Sequence, residues 1–241
     1  AHRLDPSRPI SNAICSYWSG LDDELNEENF QKILAEISGE AASVQNADTG
    51  KNDTSWEEYS EAFTNGLDIV GYNYMEDKYP LDHEMFPERV ILGSENYPKE
   101  IGMRWPMVEA TPYVIGDFTW TAYDYIGEAG IGKSVFLDPD DPLLKMGPFA
   151  LMSHSSAFSW RLANDADVDI NGGLLPQGAY RSIVWGSDKT YLYSYDPSVF
   201  GKTELISSWG FTDVTKNWNW KDADHKPVQV AVFSNGDEVE L

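Results

Sequence analysis

Cysteine occurs once in these 241 residues, at Cys15, so no internal disulfide can form and no cysteine pair stands at zinc-ligand spacing. Next to an apolar strand pattern, Cys15 reads as a small buried hydrophobe rather than a nucleophile. Histidine is almost as sparse. His2, His83, His154 and His225 show no metal-ligand spacing, and His83 and His154 fall in stretches that read as loops. Cationic residues are few as well: 17 Lys and Arg stand against 40 Asp and Glu, a formal net charge of -23. Such a chain has little with which to replace counterions on nucleic acid phosphates, and anionic membranes repel it, so neither is an expected partner. No apolar run approaches membrane-spanning length, and the opening Ala1-His-Arg-Leu-Asp5 has no signal-peptide pattern. There is no Gly-x-Ser-x-Gly elbow and no Gly-rich phosphate loop, and Asp138-Pro-Asp-Asp-Pro142 lacks the glycine and terminal glutamate of a calcium loop. No metal and no cofactor is expected.

What the chain does have is aromatic side chains and buried-strand patterns that end in polar residues. Aromatics make up 13% with nine tryptophans, more than a core alone requires, and sugar rings present apolar faces that stack on such planes. Arg89-Val-Ile-Leu-Gly-Ser-Glu-Asn-Tyr97 runs apolar and then stops at the carboxylate Glu95. Parallel strands buried on both faces read as short apolar runs, and α/β barrels carry their chemistry at the carboxyl ends of those strands, so Glu95 is a catalytic candidate. Three more stretches share the pattern: 8–14, 67–74 and 114–124. Helical material separates them. Phe30, Ile33, Leu34 and Ile37 fall on one face of a helix over 29–37, while Ser55 and Glu58 form a capping box for a helix that stops at Gly66. Strand and helix in alternation imply parallel pairing.

Five stretches in order resemble glycoside hydrolase family 2, the group containing β-galactosidases and β-glucuronidases. Leu4-Asp-Pro-Ser-Arg-Pro9 resembles the lead-in to the fifth barrel strand, Asp68-Ile-Val-Gly-Tyr-Asn-Tyr74 the sixth, and Leu92-Gly-Ser-Glu95 the nucleophile strand. Asp117-Phe-Thr-Trp-Thr-Ala-Tyr-Asp-Tyr-Ile-Gly-Glu128 resembles the eighth strand and its loop, and Pro176-Gln-Gly-Ala-Tyr-Arg-Ser-Ile-Val-Trp185 the last barrel helix. The resemblance implies an α/β fold with strands 5–8 of a (β/α)8 TIM barrel over 1–195, followed over 196–241 by the start of an immunoglobulin-like β-sandwich. It also implies that the general acid/base, an Asn-Glu pair in this family, lies upstream of residue 1, since nothing in 1–14 matches it. The chain then reads as a fragment cut at both ends, which would depend on the missing barrel half or form a homo-oligomer to cover its sheet edges.

Glycosidic bond cleavage needs two carboxyl groups, about 5–5.5 Å apart for retention and about 6.5–9.5 Å apart for inversion. The resemblance implies retention, with Glu95 as nucleophile, Trp120 as the platform beneath the sugar, and Tyr72, Asn73 and Tyr74 as substrate-binding neighbours. A tyrosine hydroxyl from the adjacent strand would hold Glu95. Strand alternation points residues 72 and 74 the same way, and Tyr72 takes first rank by its place in the family pattern. Asp117 is a further candidate for a sugar hydroxyl, whereas Asp124 and Glu128 are expected to hold backbone. A loop-rich region over about 130–175 is expected to shape the pocket rim, and Thr203–Ser208 and Val228–Ser234 read as sandwich strands with a hairpin turn at Gly236-Asp237. The expected partner is a carbohydrate, most simply a β-galactoside. A β-glucuronide or β-mannoside is the alternative sugar, and an inactive carbohydrate-binding or structural module is the alternative class.

Overall fold

The computed structural model describes residues 1–15, 60, 61, 63–148, 151, 160–221, 223 and 226–240. The helix expected over 29–37 and the capping box of Ser55 and Glu58 lie outside these residues, as do His154 and His225. The end of the second helix is within them: residues 60, 61, 63 and 64 are helical, and the chain leaves the helix at Gly66, whose φ of 91° suits a residue without Cβ. The chain divides into two compact units, residues 1–96 with 107–118, and residues 97–106 with 119–241.

The first unit is built on a four-stranded sheet in the order β1 (Ser11–Ile14), β2 (Ile69–Asn73), β3 (Ile91–Asn96) and β4 (Val114–Thr119). β1 and β2 run parallel with Ser11 opposite Ile69, and β2 and β3 run parallel with Val70 opposite Ile91. β2 and β3 are neighbours in sequence as well as in space, and parallel strands need a crossover between them. Between β2 and β3 the crossover is a 3₁₀ turn, Glu76–Lys78, running into helix α1 (Tyr79–Met85). Between β3 and β4 it is a second 3₁₀ turn, Pro98–Glu100, and helix α2 (Ile101–Ala110).

One face of this sheet packs under α1. Val70, Tyr72 and Ile91 are buried there, and the Tyr72 ring stacks on Tyr79 with centroids 6.0 Å apart. The layer is tied by Arg89, whose guanidinium pairs with fully buried Asp82 at 2.6 Å, donates to Ser60 Oγ and Thr64 Oγ1, and lies over the Phe86 ring. Arg89 thereby joins the 60–64 helix end, α1 and the start of β3. The opposite face carries small residues at the strand contacts: a Cβ on Gly71 would sit 2.0 Å from the Asn12 carbonyl oxygen, so only glycine lets β1 and β2 pair there.

The second unit holds two two-stranded antiparallel sheets. β5 (Ser134–Leu137) pairs with β7 (Thr203–Ile206), and β6 (Tyr191–Ser194) pairs with β8 (Val230–Phe233). Helix α3 (Leu143–Met146) lies in the 130–175 region, which therefore contains a strand and a helix rather than loop alone. Helix α4 (Pro176–Val184) starts on a proline, whose fixed φ suits the first helical turn, and buries Gln177, Ala179, Arg181 and Ile183. Ala179, Tyr193 and Val214 form a core with Tyr191, Tyr195, Ala231 and Phe233 packed on it.

Several sequence expectations change here. The strands at 203–206 and 230–233 exist, but each pairs with a strand that precedes residue 196, and no strand follows β8 among the described residues, so Gly236-Asp237 closes no hairpin there. Alternation marks a strand without naming its partner, which is why the pairing was not legible. Cys15 is exposed rather than buried, standing one residue past the end of β1. His83 sits on α1, not in a loop, and stacks on Tyr113 with ring centroids 3.7 Å apart.

Candidate active site

The strand ends of the first unit converge on Glu95. It lies at the carboxyl end of β3, one residue before the strand stops at Asn96. Its Oε1 accepts a hydrogen bond from the Tyr74 hydroxyl at 2.6 Å, and its Oε2 accepts one from Asn73 Nδ2 at 3.1 Å. Asn73, nearly buried, is itself oriented by Ser94 Oγ, which donates to Asn73 Oδ1 at 2.8 Å. The Tyr74 amide also donates to the Glu95 carbonyl at 2.9 Å. Side chain and backbone of the two strand ends are thus locked together.

Tyr72 is not part of this arrangement, although it ranked first as the donor to Glu95. It is fully buried on the α1 face beside Tyr79 and Asp82, and burial together with the Asp82 carboxylate pushes its hydroxyl well above the usual tyrosine range. The strict alternation that would aim residues 72 and 74 alike is broken twice. The β2–β3 register shifts between Tyr72 and Asn73, so that Asn73 stands opposite Glu95, and Tyr74 adopts φ 56°, a left-handed backbone unusual for a bulky residue. The irregularity turns Asn73 and Tyr74 together toward Glu95, and strained backbone of this kind concentrates at working sites.

Asn96, almost wholly buried, follows Glu95 directly and donates from Nδ2 to Asp117 Oδ2 on β4 at 2.6 Å. This bond fixes the ends of β3 and β4 side by side and engages Asp117, which was a candidate for a sugar hydroxyl. A Cβ on Gly93 would fall 2.4 Å from Asn96 Nδ2, so the glycine two residues before Glu95 leaves room for that amide. The Asn96–Asp117 pair had no signal in the sequence beyond adjacency to Glu95.

Trp120 lies in the second unit, just past β4, half-buried, with its indole Nε1–H donating to the Tyr125 hydroxyl at 3.3 Å and the two rings edge to face. Tyr125 in turn donates to Glu128 Oε2. Asp124 holds backbone, accepting from the Tyr125 and Asn164 amides at 3.0 and 2.9 Å. Sequence reasoning passed over Asp165. It is fully buried, accepts from Thr121 Oγ1 at 3.3 Å, and its Oδ2 has no hydrogen-bond partner. Burial, with the nearby Asp124 and Glu128 carboxylates adding to it, raises the Asp165 carboxyl to about 7. Among the described residues no cluster of His, Cys, Asp and Glu is arranged to hold a metal ion.

Fold and site define an α/β protein with a hydrogen-bonded carboxylate at the carboxyl end of a parallel sheet. No protein-family model and no curated protein matches the chain, but solved structures do. A glycosyl hydrolase family 2 member from Bacteroides cellulosilyticus, solved from microfluidic crystals, is 34% identical over 73% of this chain with a TM-score of 0.55. A family 2 member from Bacteroides cellulosilyticus DSM 14838 is 26% identical over 73% of the chain with a TM-score of 0.49. This chain spans 21% and 19% of those two chains. The chain belongs to glycoside hydrolase family 2.

Proposed function

We propose that this chain is the nucleophile-bearing part of a retaining β-glycosidase that releases terminal β-linked sugars, galactose first among them, by double displacement. The observation that carries the reading is the orientation of both Glu95 oxygens by Tyr74 and Asn73 at a parallel strand end. In the first step a Glu95 oxygen forms a bond to the anomeric carbon while the glycosidic C–O bond breaks, and a general acid protonates the leaving oxygen. That acid is proposed to lie in the part of the family 2 chains that this chain does not span. In the second step the same group, now a base, takes a proton from water; the water oxygen bonds to the anomeric carbon and the bond to Glu95 breaks.

The Tyr74 hydroxyl and the Asn73 amide contribute most in that second step. Charge returns to the Glu95 carboxylate as it departs, and donors already in place stabilise it without reorganising. Asn73 and Tyr74 accordingly serve the substrate through Glu95. Tyr72, wholly buried with its ring stacked on Tyr79, is given no direct contact with the sugar in this reading. Trp120 is proposed as the sugar-stacking residue on the resemblance of residues 117–128 to the eighth strand and its loop.

The test is mass spectrometry of the full-length protein after incubation with a 2-deoxy-2-fluoro-galactoside bearing an activated leaving group. Label on the peptide containing Glu95 is expected. Label on another carboxylate overturns the nucleophile, and labelling by the corresponding mannoside or glucuronide alone overturns galactose. A folded protein that is neither labelled by nor turns over any of these glycosides overturns the glycosidase reading.

A further inference from the structure

Trp120 is held by a chain of hydrogen bonds that ends at a surface carboxylate. The indole Nε1–H donates to Tyr125 Oη, and Tyr125 Oη–H donates to Glu128 Oε2. A hydroxyl can accept one bond while donating another, so Tyr125 is the joint of the chain and its proton points to Glu128. Burial and the bond to Glu128 raise the Tyr125 hydroxyl above its ordinary range, which keeps that proton in place across the physiological range. The ring of Tyr125 meets that of Trp120 at 83°, with centroids 6.3 Å apart, so the contact fixes the tilt of the indole as well as its height.

The backbone beneath the chain is fixed too. Glu128 stands at φ 35°, a left-handed conformation in a non-glycine residue, between Gly127 at 144° and Gly130 at 76°. Glutamate has no intrinsic preference for that region, and the conformation persists because its neighbours hold it. The Ile131 amide donates to the Glu128 carbonyl at 2.9 Å, Gly130 donates to Leu162 at 2.9 Å, and Ala163 donates to Tyr125 at 3.1 Å. On the other side of Trp120, Thr121 donates from its amide to the Asp165 carbonyl and from its hydroxyl to Asp165 Oδ1, both at 3.3 Å. An exposed glutamate held in an unfavourable backbone conformation, for one side-chain bond to a tyrosine, needs a purpose other than solubility.

We propose that Tyr125 and Glu128 are positioning residues that set the plane of Trp120 for stacking on the sugar. The inference rests on the proposed role of Trp120 and names the two side chains that tune it. Neither residue takes part in bond making. Stacking depends on the parallelism of ring and sugar face, so tilting the indole weakens binding along the whole reaction path without altering the chemistry at Glu95.

The test uses the full-length protein with Tyr125→Phe, Glu128→Gln and Trp120→Ala, alone and in pairs. Tyr125→Phe keeps the ring and removes both bonds, and it is expected to raise KM for an aryl β-glycoside about 3- to 10-fold with kcat nearly unchanged, the range of one or two hydrogen bonds. In a Trp120→Ala background the same change is expected to have no further effect, because the residue to be positioned is gone. A loss that persists in that background, or an unchanged KM in Tyr125→Phe, overturns the proposal. Glu128→Gln retains an acceptor and is expected to fall between the wild type and Tyr125→Phe; a loss exceeding that of Tyr125→Phe also overturns it. Indole 15N NMR reads the same clamp without catalysis: the Trp120 Nε1–H is expected to shift and to exchange with water about 10-fold faster in Tyr125→Phe, and an unmoved resonance overturns the clamp. A wild type inert toward every glycoside overturns the glycosidase reading instead, and the NMR result still decides the clamp.

Discussion

The Tyr74 hydroxyl and Glu95 Oε1 stand 2.6 Å apart, joined across two adjacent strand ends whose backbones are also linked from the Tyr74 amide to the Glu95 carbonyl. A donor bound in this way both at side chain and at backbone cannot drift from its acceptor without unpairing the strands. Replacing Tyr74 by Phe is therefore expected to lower the rate of glycoside hydrolysis by roughly 10- to 100-fold, the cost of about 1.5–3 kcal/mol for a hydrogen bond to a charged group. On the proposed double displacement, steady-state kinetics of the full-length protein on an activated aryl galactoside are expected to register the loss in kcat.

Tyr72 supplies the control. It is the same residue type two positions away, wholly buried against Tyr79. Tyr72→Phe is expected to leave kcat/KM within about twofold of the wild type and to act, if at all, on unfolding free energy by about 1 kcal/mol. A loss of activity equal to that of Tyr74→Phe would refute the division of labour between the two tyrosines.

Glu95→Gln keeps shape and removes the carboxylate proposed as nucleophile. Hydrolysis is expected to fall by at least about 10⁴-fold, in line with the loss of a covalent nucleophile elsewhere, and the fluoro-sugar label to disappear. Retention of the native circular dichroism spectrum would separate this effect from misfolding.

Asp165 makes stability depend on pH in an unusual direction. Its carboxyl is raised to about 7 in the folded chain, against an unfolded value of about 3.9. Between those values the folded state keeps a proton that the unfolded state has lost. Its contribution to stability is full below about pH 4, declines as pH rises, and is gone above about pH 7. Urea unfolding at pH 4.5, 5.5, 6.5 and 7.5 is expected to show a downward slope of up to about 1.4 kcal/mol per pH unit from this group, and Asp165→Asn is expected to flatten it.

Arg89 and Asp82 bind the helical layer of the first unit to its sheet, with Asp82 fully buried. Removing one member leaves a buried charge without its partner. Asp82→Ala is expected to destabilise the protein by about 3–5 kcal/mol, readable as a lower urea midpoint with the m-value preserved.

The sequence by itself determined the alternation of apolar runs and helical stretches, the parallel pairing that alternation implies, and the carboxylate at the end of the third run. These are local properties: burial on both faces writes a continuous apolar string, and Glu95 interrupts it at a point visible without coordinates. The structure alone decided which tyrosine holds Glu95. A register shift between Tyr72 and Asn73 and a left-handed Tyr74 interrupt the period-two alternation, and neither residue type at 73 or 74 marks the irregularity. Partner choice was equally hidden. The strands at 203–206 and 230–233 are visible as strands, yet they pair with 134–137 and 191–194, contacts far apart in sequence whose energy comes from side chains meeting across the sheet. Gly132 makes the same point on a smaller scale: its Cβ would lie 2.1 Å from the Asn164 carbonyl oxygen, a close approach that exists only once two distant segments have met. Patterning fixes what each segment is, because it follows from solvent and neighbours in the chain, whereas the contacts that tune a site depend on geometry that arises only on folding.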